Sequence, residues 1–598
     1  MFYCVYFISS ILLLSLLQET GAHKQPDWWQ SSIIYQIYPL SFKDSDGDGY
    51  GDLRGIFEKL DYVKDIGVDV IWIQSFYKSP MKDLGYDVAD FKSINSLFGT
   101  MEDFKRLLEA IHARGMKLLL DFVPNHSSDQ CEWFKLSLQG VHPYKDYYIF
   151  KDAKKINDTH LTYPNNWRSI FGGAAGWTWR EERKQYSFNQ FSSNQPELDL
   201  RNPQLLQEMQ GVLKYWSDLD VDGFRIDAAS FLIEAAHFED EPMIPDADGR
   251  KDYFLLNHTF TKHQPENYEL VKSWRAFLED YKKENEQNRI LCTEDYDRPV
   301  NLKNYLGNET HPGAQIPFYM RWTWQTYTMD SAGLEEDIRN MMESFPNESY
   351  NWFLDNHDEP RVSTRFNPES VDSMNILALL LPGTASIFYG SELGLEDIKP
   401  RPDQRQDPQT YPHDISKTRD ASRGPMLWDD TKNAGFTTAN KPWLPVSPNY
   451  YCKNVKTQLE KPNSHLNIFK RIVRLRKTPV IQVGDFESYV HSKWVYMFTR
   501  SLADEIIVVI MNLGSETEDV CAKTSAPKLP NTMFVHTSSF HSGLHAGGKV
   551  NTLGLDGTGT GCVSLRPFTT VVLATSHGVL VSTSIAVLFS SVCLTFMR

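Results

Sequence analysis

Short β-branched or apolar runs recur along the chain, at Ile33–Tyr38, Val70–Gln74, Lys117–Val123, Val221–Ile226, Arg289–Thr293, Asn351–Leu354 and Ser386–Tyr389. A weaker run lies at Ala314–Phe318. The apolar positions are continuous rather than alternating, as expected of strands covered on both faces. Helical patterns fall between them, among them Met101–Arg114 behind Gly99-Thr100, and Pro203–Leu219. Strands alternating with helices predict a parallel sheet. Seven strands and the weak eighth, spread over about 360 residues, predict a closed (β/α)8 barrel of the α/β class rather than an open sheet.

Two stretches break this pattern. From Ser128 to about Arg201 the chain carries Trp, Gly, Asn and Pro without a regular period, which is too long for an ordinary βα loop and predicts an inserted domain over 129–201. After about Val480 short alternating strands appear at Trp494–Thr499, Glu505–Asn512, Cys562–Leu565 and Thr569–Leu573, predicting an antiparallel β domain over 481–576. The barrel then takes 23–128 and 202–480.

Both ends read as processing signals. Val5–Leu17 is apolar and Thr20-Gly21-Ala22 offers small residues, so 1–22 is expected to be a cleaved signal peptide, with a retained signal anchor as the alternative. Val579–Met597 is uncharged and ends in Arg598. A hydrophobic tail at the chain end predicts removal of 577–598 on attachment of a GPI anchor near Thr575, Ser576 and Gly578. A single C-terminal transmembrane anchor is the alternative. The protein is therefore expected outside the cell, on its membrane.

Composition agrees with that routing. The net charge of −16 excludes nucleic acid as the main partner, since a basic footprint is missing. Of seven cysteines, Cys4 and Cys593 fall in the segments expected to be removed. Cys131, Cys292, Cys452, Cys521 and Cys562 remain, an odd number, so at least one is free or intermolecular. Cys292, in an apolar run, is expected to be free, and Cys521 with Cys562 is expected to pair. Sequons at Asn157, Asn257, Asn308 and Asn347 suit a secreted surface. An extracellular protein ligand and a homodimer are both compatible with such a surface, but neither has a motif.

Reactive groups in such a barrel gather at the C-terminal strand ends. Those ends carry Asp121-Phe-Val-Pro-Asn-His126, Gly223-Phe-Arg-Ile-Asp227, Thr293-Glu-Asp295 and Asp355-Asn-His-Asp358. Like charges placed together cost free energy, so carboxylates converging from four strand ends point to chemistry.

These segments resemble, in order, the four signature regions of the α-amylase superfamily (glycoside hydrolase family 13). Gln195-Pro-Glu-Leu-Asp199, Ser41–Leu53 and Gly172–Phe191 resemble its oligo-1,6-glucosidase and maltase branch, nearest the insect membrane-anchored maltases. The resemblance spans about Asp27 to Leu573. It implies an exo-acting, retaining α-glucosidase that releases glucose from maltose, sucrose and short α-1,4-glucosides. Asp227 matches the nucleophile, Glu294 the acid/base and Asp358 the carboxylate that grips sugar hydroxyls. Arg225, two residues before Asp227 on the same strand face, is expected to hold it ionised. His126 and His357 match sugar-binding positions, and Asp83, Tyr86 and Arg423 match those closing the pocket around the non-reducing end.

Asp44-Ser-Asp-Gly-Asp-Gly-Tyr-Gly-Asp52 begins like an EF-hand loop but lacks the twelfth-position Glu, Gly55 standing there. Asp44, Asp46, Asp48, the Tyr50 carbonyl and Asp52 still offer oxygen ligands, and the resemblance implies a structural Ca2+ there. Asp295, Asp355 and Ser391 depart from the family pattern. Asp295 is expected to raise the pKa of neighbouring Glu294 by repulsion. Ala228 resembles the α-1,4-cleaving members.

Overall fold

The computed structural model describes residues 27–157, 160–245, 253–282, 288–326, 328–409, 418–554 and 562–575. The expected signal peptide and hydrophobic tail lie outside these. Among the described residues no helix is long and apolar enough to cross a membrane.

Eight parallel strands form the barrel: β1 (Ile33–Ile37), β2 (Val70–Ile73), β3 (Lys117–Phe122), β4 (Gly223–Ile226), β5 (Ile290–Asp295), β6 (Ile316–Tyr319), β7 (Asn351–Phe353) and β8 (Thr384–Phe388). They follow in the order β6-β5-β4-β3-β2-β1-β8-β7. The β6/β7 seam carries no backbone ladder. Asn351 spans it instead, accepting from Tyr319 N at 2.7 Å and donating from Nδ2 to Pro317 O at 2.8 Å. Inside the barrel Trp72, Phe318 and Phe353 pack ring on ring, with centroids 5.2–6.1 Å apart. Cys292 joins this apolar filling.

Strand ends differ slightly from the pattern reading. β5 runs on to Asp295 because Glu294 and Asp295 still pair with Phe318 and Tyr319 of β6, although their charge ends the apolar run. β4 begins only at Gly223, since Val221 N is taken by Trp216 O at the end of the preceding helix. The helices have readable starts. In α1 (Met101–Ala113), Thr100 and Asp103 form a reciprocal capping box. In α2 (Pro203–Asp218), Asn202 caps Gln204 N and Leu205 N before a proline at the first turn.

The insert after β3 contains a helix, Glu132–Leu138, and a three-stranded antiparallel sheet. Ile149, Trp167, Trp177 and Phe188 give it a small core of its own. At the C-terminal end a six-stranded antiparallel sheet begins at Asp485. The Cys521–Cys562 disulfide forms as expected, beside the Glu518–Val520/Val563–Leu565 ladder. Cys292 is free and buried; Cys131 (buried) and Cys452 (exposed) are free as well. The four sequon asparagines Asn157, Asn257, Asn308 and Asn347 are all exposed.

Candidate active site

The C-terminal strand ends open into a cavity of about 490 Å³. Asp83, Tyr86, His126, Asp227, Glu294, His357 and Asp358 line it together, along with Arg419. Arg225 and Arg423 stand behind its wall, each 1% exposed or less.

Arg225 is the hub. Its side chain leaves β4 on the same face as Asp227, and Nη1 donates to Asp227 Oδ1 at 2.5 Å and reaches Asp121 Oδ1 at 3.4 Å. Its Nη2 makes an ion pair with Glu294 Oε2 at 2.9 Å, and Ala228 N donates to the same oxygen at 2.8 Å. Asp121, from the end of β3, accepts from Trp72 Nε1, Ser75 N and Tyr86 OH at 2.7–3.0 Å. This carboxylate fixes Tyr86 and Arg225 rather than facing the cavity.

Burial raises the pKa of both Asp227 and Glu294; nearby carboxylates, Asp358 among them, raise both further, and Arg225 opposes the rise. Both carboxyls therefore hold their protons to higher pH than isolated carboxyls do. At Asp358 burial also opposes ionisation, but the guanidiniums of Arg419 and Arg423 outweigh it and hold the carboxyl down at about 2. Burial pushes His126 down to about 4 and His357 well below its ordinary value, so both rings are neutral. Gln36 Nε2 lies 3.2 Å from His357 Nδ1, which leaves the ring proton on Nε2, 3.2 Å from Asp358 Oδ2. The ring stacks between Tyr86 and Tyr38.

Asp83 pairs with Arg419 at 2.8 Å. Arg419 also reaches Asp407 (2.7 Å) and Asp358 (3.3 Å), whereas Arg423 grips Asp358 from behind at 3.0 Å and donates from Nε to His357 O. Asp295 does not press on Glu294. Strand alternation turns its side chain to the opposite face, where Tyr305 OH donates to it at 3.0 Å and His263 lies 3.5 Å away. Ser391 Oγ donates to Asp355 Oδ2 at 2.8 Å, so these two departures are one buried contact. Asn125, formally a sequon, is fully buried, and its Nδ2 donates to Glu197 Oε1 and Phe231 O.

In the loop after β1 the carboxylate oxygens of Asp44, Asp46 and Asp48 lie within 4.8 Å of one another. Asp44 accepts from Asp46 N, Gly47 N, Gly49 N and Thr437 Oγ1. Partial burial raises the pKa of Asp48, and the neighbouring aspartates raise it further. Three hard oxygen donors crowded in this way suit Ca2+. Asp52 stands outside the group: its oxygens accept from Ser45 N, Ser45 Oγ and Gly55 N, and it caps the helix Leu53–Glu58.

A barrel with a carboxylate trio at its mouth, braced by buried arginines, defines a glycoside-cleaving class of enzyme. Residues 36–484 match the model of the alpha-amylase catalytic domain, and the chain belongs to that family. It is 39% identical over 530 residues to Maltase A1 of Drosophila melanogaster, covering 85% of this chain and 91% of that one. To the salivary alpha-glucosidase of Anopheles gambiae it is 38% identical over 568 residues, covering 91% and 95%. Among solved structures, the alpha-glucosyl transfer enzyme XgtA superposes with a TM-score of 0.78 at 30% identity, covering 92% of this chain and all of that one. The chain is a glycoside hydrolase of the alpha-glucosidase kind.

Proposed function

We propose that the protein is an exo-acting, retaining α-glucosidase that releases glucose from maltose, sucrose and short α-1,4-glucosides. The observation that carries this is the single guanidinium of Arg225 touching both Asp227 and Glu294 at the floor of a cavity walled by the Asp83–Arg419 pair. Retention needs one carboxylate to attack and one acid to protonate the leaving oxygen. Asp227, with the closer arginine contact, is the nucleophile. Glu294, which matches the family's acid/base position, gives its proton to the departing oxygen and then takes one from water. Asp358, with His126 and His357, holds the hydroxyls of the ring being cleaved. The Asp83–Arg419 pair blocks extension beyond the non-reducing end and so limits attack to terminal glucose.

Asp44, Asp46 and Asp48, joined by the Tyr50 carbonyl, would hold Ca2+ as a neutralising brace with no part in bond cleavage. The enzyme works outside the cell, glycosylated and carried by a GPI anchor, a setting open to an extracellular protein ligand.

A panel of maltose, sucrose, isomaltose and starch, with NMR of the first-formed anomer, tests the reading. It predicts α-glucose from the short sugars and no internal shortening of starch; β-glucose or a rapid fall in starch viscosity contradicts it. Phosphatidylinositol-specific phospholipase C should free the protein from membranes, and resistance favours a transmembrane anchor.

A further inference from the structure

Asp227 and Glu294 each stand one residue past the last rung of the ladder that joins their strands, the Ile226–Thr293 pair. β5 continues to Asp295 only by pairing with β6 on its other side. Backbone pairing therefore does not fix the end of β5 against the end of β4, although the separation of the two carboxyls there governs the reaction. The segment leading into the helix Pro265–Asp280 bridges this gap. On the β4 side, His263 N donates to Ser230 O at 2.8 Å, and Asn267 Nδ2 donates to the same oxygen at 2.9 Å. Lys262 Nζ lies 4.5 Å from the centre of the Phe231 ring. On the β5 side, the His263 ring stands between two carboxylates, with Nδ1 3.5 Å from Asp295 Oδ2 and Nε2 3.4 Å from Asp297 Oδ2. Asp295 is buried and also accepts from Tyr305 OH. His263 has a φ of 53°, a left-handed conformation that a residue with a side chain keeps only where its surroundings impose it. One histidine thus reaches from the segment that follows the nucleophile to the residue that follows the acid/base.

We propose that His263 is a positioning residue for the acid/base: by tying Asp295 at the end of β5 to Ser230 beyond β4, it holds Glu294 where it protonates the departing oxygen. The proposal rests on the α-glucosidase reading. Asp295, turned to the face opposite Glu294, serves as the handle, so the tie acts on the acid through the backbone that the two residues share. His263 also lines the cavity, together with Asp295 and Asp297.

The test compares phenyl α-D-glucoside, whose leaving oxygen needs a proton, with 2,4-dinitrophenyl α-D-glucoside, whose leaving oxygen departs without one; an aryl ring occupies the leaving side in both. For His263→Ala, kcat/KM on the phenyl glucoside should fall roughly tenfold to a hundredfold while that on the dinitrophenyl glucoside stays within about threefold, the scale of loss from a misplaced catalytic group. Asp295→Ala should give the same split. The double variant should fall no further than either single one, because both remove one tie. His263→Asn, which tolerates the left-handed backbone and keeps a polar group near the Nδ1 position, should recover most of the loss. Equal falls on both glucosides mark a merely structural role or a direct contact with the leaving group and overturn the proposal, as do unchanged rates or additive losses in the double variant. A wild-type enzyme inert towards maltose and both aryl glucosides instead overturns the glucosidase reading itself.

Discussion

Two clusters of carboxylates sit at the same end of the barrel and solve the same electrostatic problem differently. In the loop after β1, Asp44 is surrounded by backbone N–H donors, and the local turns of Asp46 and Asp48 face solvent. At the cavity floor Asp121, Asp227 and Glu294 converge on the fully buried Arg225. The first arrangement is mostly local, with Thr437 as its one distant donor among the contacts described, and suits a cation that stiffens a loop. The second draws on three strands, in a place where burial makes every charge expensive. Burial there raises the pKa of both Asp227 and Glu294 against the pull of Arg225. Charge compensation by local backbone suits a loop brace; compensation by a buried arginine leaves carboxyls whose protons are held tightly enough for acid chemistry.

Breaking the second cluster should cost most. Arg225→Met leaves three buried carboxylates without their counter-ion, and by analogy with broken buried pairs the fold should lose about 3–5 kcal/mol. Chemical denaturation is the check, with activity absent even in the fraction that folds; near-wild-type stability would mean that the acids are not held by this residue. Glu294→Gln keeps the shape but removes the proton, so kcat on maltose should fall by about 10²–10⁴. In the wild type, activity should decline as pH rises through the raised pKa of the acid, since the protonated form is the active one. That basic limb should vanish in Glu294→Gln, whereas Asp358, held at about 2, stays ionised across the working range. A limb that persists assigns the titration elsewhere.

Perturbing the loop cluster should matter least. Chelation, or Asp46→Asn, should lower Tm by a few degrees, the scale of a bound ligand's contribution in a large domain, with kcat per folded molecule unchanged. A collapse of kcat would merge the two clusters into one functional unit.

Asp227, Glu294 and Asp355 were legible because the apolar runs Val221–Ile226, Arg289–Thr293 and Asn351–Leu354 stop directly before them. Arg225 was legible from its two-residue spacing to Asp227. Arg419 was not: it meets Asp83 across 336 residues, and nothing local separates it from Arg423, four positions on. The outward turn of Asp295 was available from strand alternation, because adjacent residues cannot share a face. Asn351 at the barrel seam left no trace, since a side chain replacing a ladder has no periodicity. The Asp52 cap was masked by the aspartates before it, whose spacing suggests ligands while the following helix start claims its oxygens.

Asp227 is the proposed nucleophile. Incubating the enzyme with 5-fluoro-α-D-glucosyl fluoride and mapping the adduct by peptide mass spectrometry tests this directly. A glycosyl ester on the peptide carrying Asp227, absent from Asp227→Asn, is the predicted result; an adduct on another residue, or turnover in Asp227→Asn without any adduct, contradicts it.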